Sequence, residues 1–213
     1  MNEVAGEPQL RDLSNPFKRY FLATRPAFLS ATFAACLLGF ASAWFSGIDL
    51  QWSLVLITLF LALLLHASVN VLNDYFDALN GTDHINSERV YPFTGGSRFI
   101  QNEILTTKQM ANFGYILLAI SVVGGIWLIA NVGAGLLFIG LAGVFIGWAY
   151  SASPLRLNGR GLGELAVMLG FLGIVIGADF VQRSAFSAEP IIVGLPYALL
   201  VTNLLFINQF PDF

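Results

Sequence analysis

Between Gln109 and Leu155 the chain carries no aspartate, glutamate, lysine or arginine. Upstream, from Pro26 to Asn73, the only formal charge is Asp49, two positions after Gly47. Backbone N–H and C=O groups placed in hydrocarbon find no water to bond, so stretches like these become helices that satisfy their own hydrogen bonds. A bilayer core asks for about 20 mostly apolar residues per helix. Runs near that length occur at 26–46, 52–72, 110–130, 133–150, 162–182 and 191–208. The uncharged stretch after Gln109 is too long for one span, and Asn131-Val132-Gly133 is its natural break. The expected fold class is all-α, a multi-pass transmembrane helical bundle with six spans present.

Composition excludes the other classes. Hydrophobic residues make up 56 % of the 213 and charged residues 11 %, against about 25 % charged in soluble domains. Neither a water-soluble globule nor a disordered chain has that balance. Cys36 stands alone, which rules out a disulfide framework or a multi-cysteine metal site. A formal charge of −3 leaves no basic surface for nucleic acid, so the bilayer is the expected partner. Residues 1–25 are polar and mixed in charge, unlike a signal peptide.

The basic residues set an orientation. With the N-terminus inside, Arg11, Lys18, Arg19, Arg25, Arg89, Arg98, Lys108, Arg156 and Arg160 fall on the inner side and Arg183 alone on the outer, nine against one. The N-terminal segment 1–25 and the loops after the second and fourth spans are expected to be cytoplasmic.

Chemistry-bearing side chains gather on that side. The second span ends in Asn70-Val-Leu-Asn73-Asp74-Tyr-Phe-Asp77, where 100° per residue puts Asn70, Asn73, Asp74 and Asp77 within about a 100° arc. Oxygen-only ligands of this kind suit Mg²⁺. A solvated helix end with ordinary capping residues explains the same spacing. The sixth span ends in Asn208-Gln-Phe-Pro-Asp212, repeating the i, i+4 spacing of Asn70 and Asp74 on the same membrane face. Two such patches facing one cavity suit a Mg²⁺–diphosphate held between them. In the inner loops, Gly95-Gly96 with Arg98 reads either as an anion cradle or as a turn, and Arg156 with Arg160 as diphosphate ligands or as membrane anchors. Asp179 and Arg183, four apart, read as a surface pair. His66 reads as hydrogen-bonded in the bundle interior and Cys36 as packing.

Together these residues resemble the UbiA superfamily of intramembrane aromatic prenyltransferases. The matching pieces are Arg25-Pro26, Asn70-Val-Leu-Asn-Asp74-Tyr-Phe-Asp77, Gly81-Thr-Asp83, Thr94-Gly-Gly-Ser-Arg98, Tyr150-Ser, Gly163-Glu164 and Asn208-Gln-Phe-Pro-Asp212. They run in family order along nearly the whole chain, and the first and last look most like the branch that prenylates 1,4-dihydroxy-2-naphthoate for menaquinone. The resemblance implies one domain over 1–213, eight or nine spans in the complete bundle, and a bacterial inner-membrane location. It implies a Mg²⁺-dependent transferase that ionises an isoprenoid diphosphate and lets an aromatic acceptor attack the allylic cation. By resemblance Asp74, Asp77 and Asp212 are metal ligands, with Asp83 a further candidate. Asn70, Arg98, Arg156 and Asn208 meet the diphosphate, and Tyr150 lines the site near the developing cation. The family's second motif continues with another acidic residue and two or three spans, so the chain is expected to be incomplete at its C-terminus and inactive by itself.

Other classes compete. Another acceptor such as 4-hydroxybenzoate would keep the superfamily. An ion- or proton-coupled transporter would place its ionisable groups near the bilayer midplane, whereas here they crowd one face. A membrane phosphotransferase would use one compact Asp-rich motif, and a purely structural subunit leaves the paired Asn/Asp patches unexplained.

Overall fold

A computed structural model describes residues 7–81 and 96–209. Among these the regular elements are all helical. A short amphipathic helix α1 (Pro16–Ala23) precedes six apolar ones: α2 (Pro26–Phe45), α3 (Trp52–Asn80), α4 (Thr107–Val132), α5 (Gly135–Ser151), α6 (Gly163–Arg183) and α7 (Glu189–Gln209). Five of the six are long and apolar enough to cross a bilayer. The sixth, α5, is apolar but only 17 residues long, about 25 Å at 1.5 Å per residue. The expected six spans are thus five full-length helices and one short one. Gly133, at φ 114°, ends α4 and delays the start of α5 to Gly135, two residues later than the apolar run suggests.

Local chemistry accounts for the helix ends. Asn15 caps α1 by accepting a hydrogen bond from the Phe17 N–H, and Pro16 occupies the first turn, where a missing N–H costs nothing. Thr106 and Gln109 form a reciprocal capping box at the start of α4. Nothing in α3 breaks the helix until Gly81, at φ 75°. Its 29 residues span about 43 Å, so about two turns extend beyond a hydrocarbon core of roughly 30 Å. The Asn/Asp cluster lies in that last part.

The packing inverts the pattern of a soluble protein. Val123, 68 % exposed, belongs to a broad apolar outer surface that also includes Phe60, Ile120, Phe145 and Leu200, as lipid-facing helices require. Inside, α3 packs along α4, while α6 lies against α2, α5 and α7. Small residues let backbones approach. A Cβ on Gly39 of α2 would sit 2.7 Å from Ala178 Cβ of α6, and one on Gly114 of α4 would sit 2.7 Å from the Leu72 side chain of α3. Phe99, Ile104 and Leu105, from the segment between α3 and α4, bury themselves with Ala67, Val71 and Met110 and fix that segment against the cluster end of α3. Further hydrogen bonds tie the helices: Tyr197 of α7 donates to the Ala31 carbonyl of α2 at 2.6 Å.

Candidate functional site

Between α2, α3, α4, α5, α6 and α7 lies a cavity of about 1400 Å³. Most of its wall is aliphatic, aromatic or glycine. Gly140, Gly143 and Gly147 of α5 and Gly170, Gly173 and Gly177 of α6 put bare backbone along it, and a Cβ added at Gly140, Gly143, Gly170 or Gly173 would meet open space. Polar side chains gather at one end, where Arg25, Asn70, Asn73, Asp77, Tyr150, Asn158 and Asn208 line the wall beside Gly96.

Three of the four clustered α3 residues behave as the helical spacing predicts: Asn70, Asn73 and Asp77 line the cavity. Asn70 donates its amide to the Thr24 carbonyl at 2.9 Å, which fixes the turn between α1 and α2. Asn73 donates to Asp77 Oδ2 at 2.8 Å and to Ser151 Oγ at 2.6 Å, tying the motif to the end of α5. Asp77 Oδ1 also faces the Asn158 amide at 3.5 Å.

Asp74 turns elsewhere. It is 4 % exposed and does not line the cavity. Its Oδ1 accepts a hydrogen bond from the Arg25 guanidinium and one from the Ser97 N–H at 3.2 Å. Its Oδ2 is buried without a hydrogen-bond partner among the described residues. Arg25 lies in the left-handed region at φ 54°. The following Pro26 disfavours the right-handed helical conformation there, so Arg25 ends one helix and begins the next while its side chain reaches across to α3. It also contacts Asn73 Oδ1 at 3.3 Å. Gly96 closes over the pair: at φ 74° a Cβ would sit 2.8 Å from Asp74 Oδ1 and 3.1 Å from Arg25 Nη2.

The remaining candidates are placed as follows. Tyr150 and Asn208 line the same cavity as Asp77, from α5 and α7. Arg98 is 7 % exposed with φ 63°, and Arg156 has φ 42°; neither is a lining residue. Asp83, Asp212 and Gly95 lie outside the described residues. Arg25, Asn73 and Asn158 also belong to the mouth, although the resemblance gives none of them a role; spacing alone places Asn73 in the α3 cluster. The pre-proline arginine and the second asparagine of the α3 arc were visible signals; Asn158 offered none.

Two further expectations meet the structure. His66 is hydrogen-bonded inside the bundle, its Nδ1 2.7 Å from Thr32 Oγ1. Asp179 pairs with Arg183 through two hydrogen bonds of 2.9 and 3.0 Å, but only the arginine reaches the surface. Asp179 is 1 % exposed, because the close approach of α2 at Gly39 covers it. Arg183 bonds Ser46 Oγ of that end of α2 at 2.9 Å.

As for metal, no group of three or more His, Cys, Asp or Glu side chains forms a site among the described residues. Among the described residues the mouth offers the Asp77 carboxylate and several amide oxygens, with the Asp74 carboxylate buried behind them. Mg²⁺ is typically held by one or two carboxylates together with waters and substrate phosphates. The unpartnered Asp74 Oδ2 and the cavity-lining Asp77 fit that donor set.

Fold and site define a multi-pass helical membrane protein whose cavity joins a small polar mouth to a long apolar interior. The chain belongs to the UbiA prenyltransferase family, which residues 28–213 match. The 1,4-dihydroxy-2-naphthoate octaprenyltransferase of Bacillus subtilis strain 168 is 28 % identical over 191 residues, covering 89 % of this chain and 59 % of that protein. The enzyme of the same name from Escherichia coli K12 is 28 % identical over 195 residues, 88 % of this chain and 61 % of its own. The 2-carboxy-1,4-naphthoquinone phytyltransferase of Synechocystis is 27 % identical over 191 residues, 86 % and 59 %. The chain thus spans about three fifths of the length of these relatives. No solved structure matches it.

Proposed function

We propose that this protein transfers a prenyl group from an isoprenoid diphosphate to an aromatic acceptor, 1,4-dihydroxy-2-naphthoate, inside the membrane. The observation that carries the reading is the joining of Asp77, Arg25 and Asn208 to one apolar cavity of about 1400 Å³. An isoprenoid diphosphate has the same division, a doubly charged head on a long hydrocarbon tail. The naphthoate acceptor and the place in menaquinone synthesis are supported by the names of the relatives.

Asp74 and Asp77 would hold Mg²⁺, with Asp212 and Asp83 as further ligands by resemblance. Bound there, Mg²⁺ would supply positive charge to the departing diphosphate. Arg25 holds Asp74 in place and adds a fixed positive charge at the mouth. Asn70 and Asn208 present amides to the head group, and Arg98 and Arg156 are assigned to it by resemblance. The allylic C–O bond breaks with its electron pair leaving on the diphosphate. The apolar wall keeps water from the resulting cation, while the Tyr150 ring offers it a π-face. The electron-rich ring then forms the new C–C bond, and in the naphthoate branch the ring carboxylate leaves as CO₂. Orientation follows the basic residues: the mouth faces the cytoplasm of a bacterial inner membrane.

The test is transfer of a radiolabelled prenyl group by the full-length protein in membrane vesicles with Mg²⁺. Labelled product with dihydroxynaphthoate is expected. Product with 4-hydroxybenzoate alone would reject the naphthoate branch, and no product with either would reject the reading.

A further inference from the structure

His66 stands one turn along α3 from Asn70, about 6 Å further into the cavity, and lines its wall. Its ring is fixed from two sides. Thr32 Oγ1 of α2 meets Nδ1 at 2.7 Å, and Phe171 of α6 meets the ring edge-on with centroids 5.7 Å apart. Thr32 is fully buried, and the contact with His66 is its hydroxyl's hydrogen bond. A buried hydroxyl proton without an acceptor is unfavourable, so the hydroxyl donates to Nδ1. The neutral imidazole then carries its own hydrogen on Nε2. Nε2 makes no hydrogen bond among the described residues. The bundle therefore holds an oriented N–H donor among apolar side chains, one turn beneath the polar mouth.

A prenyl tail has no atom that accepts such a hydrogen bond. An aromatic acceptor does, in its hydroxyl or carboxylate oxygens. We propose that His66 Nε2–H binds an oxygen of the aromatic acceptor and seats the ring beside Phe171, below the diphosphate mouth. The proposal rests on the prenyl-transfer reading and adds to it the group that recognises the acceptor. Thr32 is then a positioning residue: its hydroxyl selects the tautomer. A site built to bond a substrate oxygen also discriminates strongly against ring systems that lack one.

The experiment uses the full-length protein in nanodiscs. Binding of 1,4-dihydroxy-2-naphthoate is measured by calorimetry, and KM for acceptor and donor by steady-state transfer. His66→Leu is expected to weaken acceptor binding about tenfold, the scale of one lost hydrogen bond, and to leave the donor KM unchanged. His66→Gln, whose amide N–H replaces the donor, is expected to recover binding to within about threefold of the parent. Should His66→Leu fail to fold, His66→Phe keeps a ring against Phe171, lacks the donor and carries the same expectation. Unchanged acceptor affinity in the donor-less variant, or equal loss for both substrates, would overturn the proposal. So would a Gln variant no better than Leu. His66-dependent acceptor binding without any prenyl transfer would reject the transfer reading and leave this donor standing. Transfer with His66-independent acceptor affinity would do the reverse.

Discussion

Gly96 is the most informative single position at the mouth. Substituting alanine there does two things at once. The backbone at φ 74° places any Cβ in the left-handed region, which costs about 1–2 kcal/mol for an L-residue. The new Cβ also sits 2.8 Å from Asp74 Oδ1, so the carboxylate must withdraw until the contact reaches about 3.4 Å. Asp74 has little room to yield, since Ser97 N–H and Arg25 hold that same oxygen. Gly81→Ala is the matched control, because it has nearly the same φ, 75°, and nothing among the described residues within 4 Å of the added Cβ. Both variants should lose about 1–2 kcal/mol of stability through backbone strain. Only Gly96→Ala should lose activity, by ten- to a hundredfold, the scale on which a misplacement of up to about 1 Å in a catalytic constellation is felt. Thermal unfolding in detergent and prenyl transfer in vesicles, run on both variants, separate the two effects. Equal activity in the two would refute the argument that Gly96 shapes the Asp74–Arg25 pair for function.

Asp74→Asn and Asp77→Asn should each remove nearly all transfer, since each keeps the shape but deletes an anionic oxygen; chelation with EDTA should do the same, reversed by excess Mg²⁺, and EDTA-resistant turnover would rule the metal out. Asp179→Ala should leave most activity while costing about 1–3 kcal/mol of stability in thermal unfolding, the scale of charge-assisted hydrogen bonds lost to the partly exposed Arg183, and a loss of transfer as large as that of Asp77→Asn would contradict a purely structural role. A cysteine introduced at Ser87 should react with impermeant reagents only from the cytoplasmic side, with buried Cys36 silent as the background; labelling from outside intact cells would reverse the topology.

Local patterns account for what was legible in advance. Apolar run length located six helices to within a few residues at most ends, because in lipid the backbone has one way to satisfy itself. The exception is the far end of α3, where polar residues continue a helix that hydropathy alone stops at Leu72. Helical periodicity put Asn70, Asn73 and Asp77 on one face, and they share the cavity wall. It could not separate Asp74 from them. What turns Asp74 away is Arg25, 49 positions earlier in the chain, and no local spacing encodes such a contact. Asn158, 81 positions from Asp77, was invisible for the same reason. Asp179 shows the converse limit: the i, i+4 rule found its partner, but only the packing of Gly39 reveals that a neighbouring helix covers the carboxylate.

The six glycines facing the cavity from α5 and α6 divide labour within the molecule. The charged side chains of the cavity wall are confined to the mouth, whereas the capacity of the interior is set by side chains that are missing. A single Gly→Ala or Gly→Val replacement at Gly140, Gly143, Gly170 or Gly173 has open space to grow into, so it subtracts volume without touching a polar group. Under the proposed function these helices act as a gauge of hydrocarbon length that can be reset one methyl at a time. Two proteins with the same mouth could then run one reaction on donors of different length. Exchanging one aromatic acceptor for another would proceed through a separate set of positions.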